Sequence, residues 1–330
     1  MERIGLSVVV PLYNEAAGIR ATLNSIARAL TAAGRFDAEI VVVDDGSTDD
    51  GAAIVESHPS PVPVRLVRQE NRGLFEARRT GLDAARREYV LQLDAGVTLE
   101  PDALRFVAER LDQGDDVWNG HTELEGEGPY VRFWDVVSHL AFRDYVDDPR
   151  TTRFGPAEFD RYPKGGGCFL APRALLLDAV RAFRTAYADT HHASDDTLML
   201  RTLSARRPIN IAPGFAYVYR PRRAFRPFVR HAYHRGTTFV DGHGRPESRF
   251  FPLVVAFFPA SAAAIAVVAR KPLAAPALAL ALAAGAGVAA RRRPTADALS
   301  FAALAPVYAI AHGAGMWRGL ALAARSRRNR

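Results

Sequence analysis

Short apolar runs that end in acidic and small residues constrain the fold of this chain more than any other feature. Residues 39–43 lead into Asp44 and Asp45, residues 89–93 lead into Asp94, and an earlier run ends at a proline. Helical patterns separate the runs, and strands that alternate with helices predict a parallel sheet with right-handed crossovers. The carboxyl ends of such strands share one edge, where open α/β sheets bind ligands. We therefore expect the acids to lie at a ligand-binding edge.

The spacing of apolar residues predicts the other elements of this region. Apolar residues recur at helical spacing between residues 17 and 33, and a further helix follows an Asn-Arg-Gly segment that begins at residue 71. The expected strands are 6–10, 39–43, 64–68 and 89–93, and the expected helices are 17–33, 51–57 and one that ends at residue 85. Residues 114–220 are less periodic, and we expect them to form the acceptor half of the same domain.

Composition sets wider limits on the class of protein. At 330 residues, 48% of them hydrophobic, the chain is long enough for one large domain or two. The formal net charge is +7, and all but two of the 43 basic residues are arginine. A GC-rich genome explains that excess, and so does contact with diphosphates or lipid head groups, which the guanidinium fork suits. Nucleic acid is not an expected partner, because no basic stretch is interleaved with aromatic residues in a recognisable binding module.

Cysteine usage and the amino terminus bear on the cellular compartment. Cys168 is the only cysteine, so neither an intrachain disulfide nor a thiolate metal cluster is expected. The first strand begins within about five residues of Met1, which predicts that no signal peptide precedes it. We therefore expect the sheet domain to lie in the cytoplasm.

The character of the sequence changes at residue 226. Phe228, Val229, Ala232 and Tyr233 share one helical face, and arginines and histidines lie around the rest of the helix. This pattern predicts an amphipathic helix and linker over residues 226–249 that lies on the membrane surface. The alternative is an ordinary surface helix.

Apolar stretches then follow over residues 250–320, which we interpret as two or three transmembrane helices. Residues 250–269 and 272–290 carry no charge, and each is long enough to span a bilayer. The alternative is buried helices of a soluble domain. Residues 298–317 are also apolar, but three full spans would put the basic tail, 321–330, outside the cell, against the positive-inside rule. We therefore expect that third stretch to be re-entrant or interfacial.

The motifs between residues 6 and 94, taken in order, resemble those of family 2 of the GT-A glycosyltransferases. These enzymes transfer a sugar from a nucleotide diphosphate donor with inversion. The resemblance extends over roughly residues 4–240 and implies an α/β, Rossmann-like GT-A fold with a mostly parallel central sheet, followed here by transmembrane helices. It implies that residues 1–225 form the catalytic domain. No Gln-x-x-Arg-Trp motif occurs, so a processive polysaccharide synthase is not expected.

The resemblance implies a nucleotide-sugar donor site at the strand ends. Pro11, Tyr13 and Glu15 match the loop that wraps the nucleotide base, where an aromatic ring stacks and a carboxylate accepts ribose hydroxyls. By the same resemblance Asp45 accepts from a uracil-type imide, and Asp44 supports it. The other donor-binding residues implied are Arg72, Arg78, Asp94 and Arg222. The alternatives are helix capping after the acid pair and a solvated helix start around the arginines.

The metal site of the family is altered in this sequence. The usual motif is Asp-x-Asp, and Gly96 stands where the second acid is expected after Asp94. The resemblance implies Mg²⁺ or Mn²⁺ at Asp94, which neutralises the leaving diphosphate. Mg²⁺ keeps several waters and relies on substrate phosphates, so one lost ligand leaves a site possible. Arginines, His191 or His192 are the alternative sources of positive charge.

Two segments resemble the acceptor side of the family's site. Gly165, Gly166 and Gly167 match a glycine-rich segment beneath the sugar and the acceptor, and the alternative is a flexible loop. Asp195 and Asp196 match the acid pair at a helix start, and by resemblance Asp196 is the base that takes the proton of the acceptor hydroxyl. The alternative is that this segment only caps the helix.

These expectations combine into one function with two alternatives. We expect an inverting glycosyltransferase in the cell membrane, multi-pass, with its catalytic domain on the cytoplasmic side. It would use a UDP- or GDP-type sugar and a lipid-linked or cell-envelope glycan acceptor. The first alternative is a catalytically weak nucleotide-binding subunit of a membrane assembly, suggested by Gly96. The second is a polyprenyl-phosphate sugar synthase.

Overall fold

The computed structural model describes residues 3–221 and 224–328 of the chain. The chain divides into two compact units. The sheet unit consists of residues up to 123, 148–184 and 195–220, and the helical unit consists of residues 124–147, 185–194 and 221 onward. The helical unit therefore begins near the predicted boundary at residue 225, and it also takes two segments from within the predicted catalytic domain.

Strands and helices alternate along the sheet unit and give way to helices alone. The strands are β1 (Ile4–Leu12), β2 (Phe36–Asp45), β3 (Val64–Gln69), β4 (Tyr89–Leu93), β5 (Thr98–Leu99), β6 (Trp118–Leu124), β7 (Thr152–Phe154), β8 (Cys168–Pro172) and β9 (Ile209–Tyr219). The helices are α1 (Ala16–Ala33), α2 (Gly51–Glu56), α3 (Leu74–Ala84), α4 (Ala103–Leu111), α5 (Pro129–Val146), α6 (Arg173–Ala182), α7 (Asp195–Ser204), α8 (Phe225–His243), α9 (Phe251–Arg270), α10 (Ala274–Ala289) and α11 (Thr295–Arg328). A short 3₁₀ helix covers Phe159–Arg161.

The strands form one mixed sheet in the order β3-β2-β1-β4-β8-β6-β9-β5, with β7 paired to β9. Strands β3, β2, β1 and β4 are parallel, as the alternation of strands and helices predicts. Strand β8 then runs antiparallel to β4 and β6, and β9 runs antiparallel to β5 and β7. The prediction of a mostly parallel sheet therefore holds for the first four strands, and the second half of the sheet is antiparallel.

The predicted end of β1 at the proline is wrong. The strand continues to Leu12, with Pro11 paired to Val43 of β2. Pairing of β1 with β4 ends at Val9, so Pro11 lies where β1 is an edge on that side. An edge is the place in a sheet that tolerates a residue without an N–H group.

The core of the sheet unit lies between the sheet and its helices. Helix α1 buries Ile19, Leu23, Ile26 and Leu30, which share one face because they recur at intervals of three and four residues. The central strands are apolar on both faces, as expected for strands covered on both sides. This packing fixes the carboxyl ends of β1, β2 and β4 at one edge.

In the helical unit, α8 packs with its apolar face against α5 and α11. Phe228 of α8 lies in an aromatic cluster with Phe133 and Trp134 of α5, and Phe301 and Tyr308 of α11 pack against the same cluster. The sequence pattern identified the apolar face of α8 correctly. Helices α5 and α11 cover part of that face, and the interfacial position of α8 stays a prediction.

Glycines allow α8 and α11 to approach closely. A Cβ atom at Gly236 would lie 1.9 Å from the carbonyl oxygen of His312, and one at Gly315 would lie 2.0 Å from that of Tyr233. Residues 298–317, which include Gly313 and Gly315, were expected to be re-entrant or interfacial, but α11 is one continuous helix of 34 residues. It includes residues 321–328 of the predicted basic tail, so these glycines serve helix packing and do not break the helix.

Two helices in the described part of the chain are long and apolar enough to cross a membrane. They are α9, with 20 residues, and α11, with 34 residues. In an apolar stretch of 18 residues within each helix, the buried share is 6% in α9 and 22% in α11. Helix α10 is equally apolar and has no fully buried residue, but it has only 16 residues. At 1.5 Å per residue it is about 24 Å long, shorter than the ~30 Å hydrocarbon core of a bilayer.

Candidate active site

The loops that follow β1 and β2 are joined by side-chain hydrogen bonds. Asn14, which has a left-handed backbone (φ 53°), accepts from the backbone N–H of Thr48 through Oδ1 at 2.8 Å. The backbone N–H of Asn14 donates to Oγ of Ser47 at 3.1 Å, and that of Ala16 donates to Oδ2 of Asp49 at 2.8 Å. Ser47, Thr48 and Asp49, which the sequence indicated as capping residues, thus connect two strand ends.

The acid pair at the end of β2 is buried and bonded to backbone groups. Asp44 accepts from the N–H of Ser47 at 2.9 Å. Asp45 accepts from the N–H groups of Arg72 and Gly73 at 2.8 and 2.9 Å, and from Nε2 of Gln69 at 2.7 Å. The pair therefore shapes the turn after β2 and the loop before α3, whatever it also binds.

The other predicted donor residues differ in their accessibility. Tyr13 is 50% exposed, and the Arg72 side chain is 56% exposed and lies 3.6 Å from Glu76. Pro11 is buried within β1, so its side chain is not part of a loop surface. The predicted contact at Arg222 lies outside the described residues.

Asp94 begins the turn that follows β4. Its Oδ1 accepts from Nη2 of Arg78 at 2.7 Å, and its side chain is 34% exposed. Gly96 follows with φ 89°, and Oε2 of Glu15 lies 3.5 Å from the position of a Cβ atom at Gly96. A carboxylate from the β1–α1 loop therefore lies beside the place where the family's second acid would begin.

Arg78, which the resemblance implied as a donor-binding residue, is buried and paired with carboxylates of the protein itself. It is 3% exposed, and its Nη1 donates to Oδ2 of Asp195 at 2.6 Å while Nη2 donates to Asp94. Burial opposes its charge, but Asp94, Asp195 and Asp196 together raise the pKa of Arg78 above the usual range. The residue is a buried cation among three carboxylates.

The acid pair of α7 lies in this cluster, as the first two residues of the helix. Asp195 is buried, and burial raises the pKa of its carboxyl; Arg78 opposes this rise and Asp196 adds to it. Asp196 is only partly buried, and its Oδ1 accepts from the N–H of Thr197 at 2.6 Å. The two acids thus differ, one fixed on a cation and the other partly open to solvent.

The glycine run lies directly over this cluster, and each glycine approaches a different one of three members. A Cβ atom at Gly165 would lie 3.8 Å from Oδ2 of Asp196, and one at Gly167 would lie 3.5 Å from Oδ2 of Asp94. One at Gly166 would lie 2.5 Å from Nη1 of Arg78, closer than any real Cβ contact. The structure therefore brings together the predicted acceptor glycines, the predicted base pair and Asp94.

Sequence reasoning missed the residues that hold the glycine run and close its far side. Oδ1 of buried Asn119 accepts from the N–H of Gly165 at 3.2 Å. Tyr217 has its hydroxyl oxygen 3.6 Å from the Cβ position at Gly167 and accepts from Thr122 at 2.7 Å. These residues come from β6 and β9, whose sequences carried no motif. Their place in the site becomes visible only in the sheet, where the order is β8-β6-β9.

The residues around Asp94 fit a divalent ion that takes most of its ligands from elsewhere. In residues 3–221 and 224–328, no group of three or more His, Cys, Asp or Glu side chains is arranged to hold a metal. Asp94 offers Oδ2, since Oδ1 is held by Arg78. Mg²⁺-type sites that use one or two carboxylates plus substrate phosphates and water match this donor set.

The histidines suggested as substitute cations belong to the helical unit. His192 lies with Nε2 at 2.8 Å from Nη2 of Arg318 and with Nδ1 at 3.4 Å from Asp189. The N–H of His191 donates to the same Asp189. Both histidines thus take part in the packing of that unit.

Residues 7–159 match the model of glycosyl transferase family 2. Residues 7–159 thus form a domain of the family 2 glycosyltransferase type, and its fold is GT-A. Both predictions from the sequence motifs are confirmed.

Two curated relatives show the range of this similarity. A validoxylamine A glucosyltransferase of Streptomyces hygroscopicus subsp. jinggangensis is 39% identical over 169 residues, which cover 47% of this chain and 40% of the relative. An undecaprenyl-phosphate 4-deoxy-4-formamido-L-arabinose transferase of Pseudomonas paraeruginosa is 34% identical over 183 residues, which cover 54% of this chain and 50% of the relative. The chain thus spans half or less of the length of these two relatives.

Solved structures share the fold over nearly the whole chain. A mannosyltransferase of Pyrobaculum calidifontis in complex with GDP-Man and Mn²⁺ has a TM-score of 0.58 at 23% identity, covering 96% of this chain and 88% of that one. S. aureus TarS 1–349 in complex with UDP has a TM-score of 0.54 at 19% identity, covering 100% and 92%. At these identities the likeness shows the fold alone.

Proposed function

We propose that this chain is an inverting glycosyltransferase that moves a sugar from a UDP- or GDP-type donor to a lipid-linked or cell-envelope glycan acceptor. The observation that carries this proposal is the convergence of Asp94, from the end of β4, with the acid pair of α7 beneath the glycine run. A donor-side acid and a candidate base thus lie in one cluster. Inverting transfer needs this arrangement, because the acceptor attacks C1 opposite the leaving diphosphate.

In this mechanism Asp196 is the general base. Asp195 is held by the buried Arg78, whereas Asp196 is partly exposed, with Oδ2 towards Gly165. Asp196 takes the proton of the acceptor hydroxyl as the oxygen bonds to C1 of the sugar. The bond from C1 to the diphosphate oxygen breaks, and the nucleoside diphosphate leaves with that electron pair. The anomeric configuration is inverted, since attack and departure occur on opposite faces.

The donor nucleotide would lie at the ends of β1 and β2. The exposed ring of Tyr13 is available to stack on a base. Arg72 lies in the loop that Asp45 holds, and its side chain is exposed and available to the donor. Structures with similar folds include one with GDP-Man and one with UDP, which supports a nucleoside diphosphate donor of either type.

Asp94 is the residue proposed to hold Mg²⁺ or Mn²⁺, with the donor phosphates completing the site. Such an ion supplies positive charge for the leaving diphosphate. The similar mannosyltransferase structure contains Mn²⁺, which supports the choice of ion. The protein's own contribution is the orientation of Asp94, because Arg78 fixes Oδ1 and leaves Oδ2 on the side of Gly167.

The apolar hairpin of α9 and α10 is the proposed membrane anchor. Val254 is the one buried residue of the two helices, and Phe257 and Phe258 of α9 pack in part against the rest of the helical unit. Arg270 and Lys271 lie at its tip, whereas Arg249 and Arg291–Arg293 flank its base. The larger number of arginines at the base favours the cytoplasmic side for that end, and hence for the catalytic unit. The full-length chain should remain in the membrane pellet after carbonate extraction, and recovery of soluble chain without detergent would contradict the anchor.

Two other functions remain as candidates, each on one observation. Gly96 in place of the second acid favours a nucleotide-binding subunit with little turnover. The relative that uses undecaprenyl phosphate favours a polyprenyl-phosphate sugar synthase. Release of nucleoside diphosphate on addition of acceptor separates an enzyme from the binding subunit. A panel containing polyprenyl phosphate and lipid-linked glycans separates the two enzymes.

The experiment that tests the proposal begins with a thermal-shift screen of the purified full chain against UDP-, GDP- and dTDP-sugars, with and without Mn²⁺. A bound donor raises the apparent stability by mass action. Asp196→Asn then removes basicity while keeping the size of the side chain. We expect its transfer rate to fall roughly 10²–10⁴-fold, with nucleotide affinity nearly unchanged. Transfer that survives within a few-fold excludes Asp196 as the base, and loss of both properties shows a structural role.

A further inference from the structure

Arg78 lies between two acids that are distant in sequence. Its two Nη groups donate to different carboxylates, Asp94 at 2.7 Å and Asp195 at 2.6 Å. These partners are 16 and 117 positions away along the chain. The arginine therefore connects the turn after β4 with the first turn of α7.

The cluster would be unstable without this cation. Asp94, Asp195 and Asp196 all act electrostatically on Arg78, and like charges at this proximity repel one another. Removing one partner of a buried ion pair leaves the other charge uncompensated, and the structure then relaxes towards solvent. The first turn of α7 carries both acids, so its relaxation would also move Asp196.

The position of Arg78 is determined from three directions. The two carboxylates hold the guanidinium, and the backbone of Gly166 covers it so closely that a methyl group there would lie 2.5–2.7 Å from Nη1, Cζ and Nη2. A planar fork suits this slot and reaches two acceptors, whereas an ammonium is a single point charge on a flexible stem.

We propose that Arg78 is a positioning residue that fixes the acid pair of α7 relative to Asp94, and so sets the base against the sugar of the donor. This inference rests on the proposed function, because it takes Asp196 as the base and Asp94 as the donor-side acid. Arg78 itself touches neither substrate. Its effect on transfer comes from geometry, to which rates are sensitive at the scale of about 1 Å.

The experiment compares Arg78→Ala, Arg78→Lys and the wild-type full chain in detergent, using the UDP- or GDP-sugar that gives the largest thermal shift. Two quantities are measured on each: nucleoside diphosphate release and the nucleotide dissociation constant. We expect Arg78→Ala to lower release about 10²-fold, with the dissociation constant within a few-fold of wild type. Arg79→Ala is the matched control, because the neighbouring Arg79 is 41% exposed and pairs only locally with Glu76. It should keep wild-type rates.

Chemical rescue distinguishes positioning from general loss of structure. Arg78→Ala leaves a guanidinium-shaped space under Gly166, so guanidinium chloride below denaturing concentrations should restore a substantial part of the release rate. Arg78→Lys should stay slow and respond less. If Arg78→Ala fails to bind nucleotide, the test uses Arg78→Lys instead, with nucleoside diphosphate release and the nucleotide dissociation constant measured in the same way.

Each outcome has one meaning. A parallel loss of nucleotide affinity and release in Arg78→Lys would make Arg78 a donor ligand and overturn the inference. Release within a few-fold of wild type in Arg78→Ala would also overturn it. Failure of the wild-type chain to release nucleoside diphosphate from any sugar nucleotide tested would instead overturn the proposed function.

Discussion

Replacing Gly166 by alanine tests whether the glycine run must lie directly on the buried arginine. The new Cβ atom would lie 2.5 Å from Nη1 of Arg78 and 2.7 Å from Cζ and Nη2. A clash with the tip of a long side chain is usually relieved by rotation of that side chain. Here rotation is opposed, because Arg78 is buried and bonded to Asp94 and Asp195.

The destabilisation by Gly166→Ala is set by whichever of two structural responses costs less free energy. If the backbone at Gly166 moves, the cost is that of overpacking, about 1–3 kcal/mol. If Arg78 leaves instead, a buried ion pair is broken, and that costs roughly 3–5 kcal/mol. We therefore expect the first response. At about 2–4 °C per kcal/mol, the melting temperature should fall by roughly 2–12 °C.

The assay is thermal unfolding of the full-length chain in detergent, followed by nucleoside diphosphate release. Gly165→Ala is the matched control, because its Cβ atom would meet only Oδ2 of Asp196, at an ordinary 3.8 Å. It should change the melting temperature little, whereas Gly166→Ala should also slow release. Equal melting temperatures and rates for the two variants would refute the argument that Arg78 is fixed in place.

Three further predictions concern other parts of the chain. Gly315→Ala should destabilise the packing of α8 on α11 by about 1–3 kcal/mol. The control is Gly285→Ala, whose Cβ atom would meet nothing within 4 Å and should leave thermal unfolding unchanged. Equal effects of the two substitutions would contradict close packing of the two helices. Asp45→Ala should weaken nucleotide binding, measured by calorimetry, by roughly 1–3 kcal/mol. Gln69→Ala, which removes a hydrogen-bond donor to Asp45, should weaken binding less. Unchanged affinity in Asp45→Ala would show that Asp45 only holds its loop. Burial raises the pKa of the Cys168 thiol and so disfavours the reactive thiolate. Iodoacetamide at pH 8 should therefore label Cys168 only after the chain unfolds. Rapid labelling of the folded chain would contradict the burial of this residue. Because the folded thiol has a higher pKa than the unfolded one, the free energy of unfolding should fall as pH rises above the ordinary thiol pKa of about 8.5.

The first half of the sheet was predictable because its strands are buried and continuous. Residues 64–68 and 89–93 were expected as strands, and the structure shows Val64–Gln69 and Tyr89–Leu93. A central parallel strand needs an apolar run and a turn at its end, and both are local properties of the sequence. The antiparallel half was not predictable in this way, because β6 is largely polar, β8 has only five residues, and the run of β9 is interrupted by Pro213 and Gly214.

The role of Arg78 was not predictable from its motif. The sequence placed it on a helix, which the structure confirms, and its charge then suggested a phosphate or base contact. Its actual partners are 16 and 117 positions away, and only the tertiary fold brings them to the guanidinium. The same limit applies to α8, whose apolar face was correctly identified while its covering by α11 was not.

The departure at Gly96 shows why a motif position cannot be judged by residue type alone. Its φ of 89° belongs to the left-handed region, where a side chain other than glycine is strained. A Cβ atom at Gly18 of α1 would lie 2.7 Å from the Cα atom of Gly96, so the helix and the turn are already in close contact. The Cβ atom of an acid at residue 96 would lie 3.5 Å from Oε2 of Glu15, so its carboxylate would lie near that of Glu15, and like charges repel. Substituting aspartate for Gly96 therefore adds strain and like-charge repulsion to the site along with the missing carboxylate, so loss of activity in that variant would not count against a metal at Asp94.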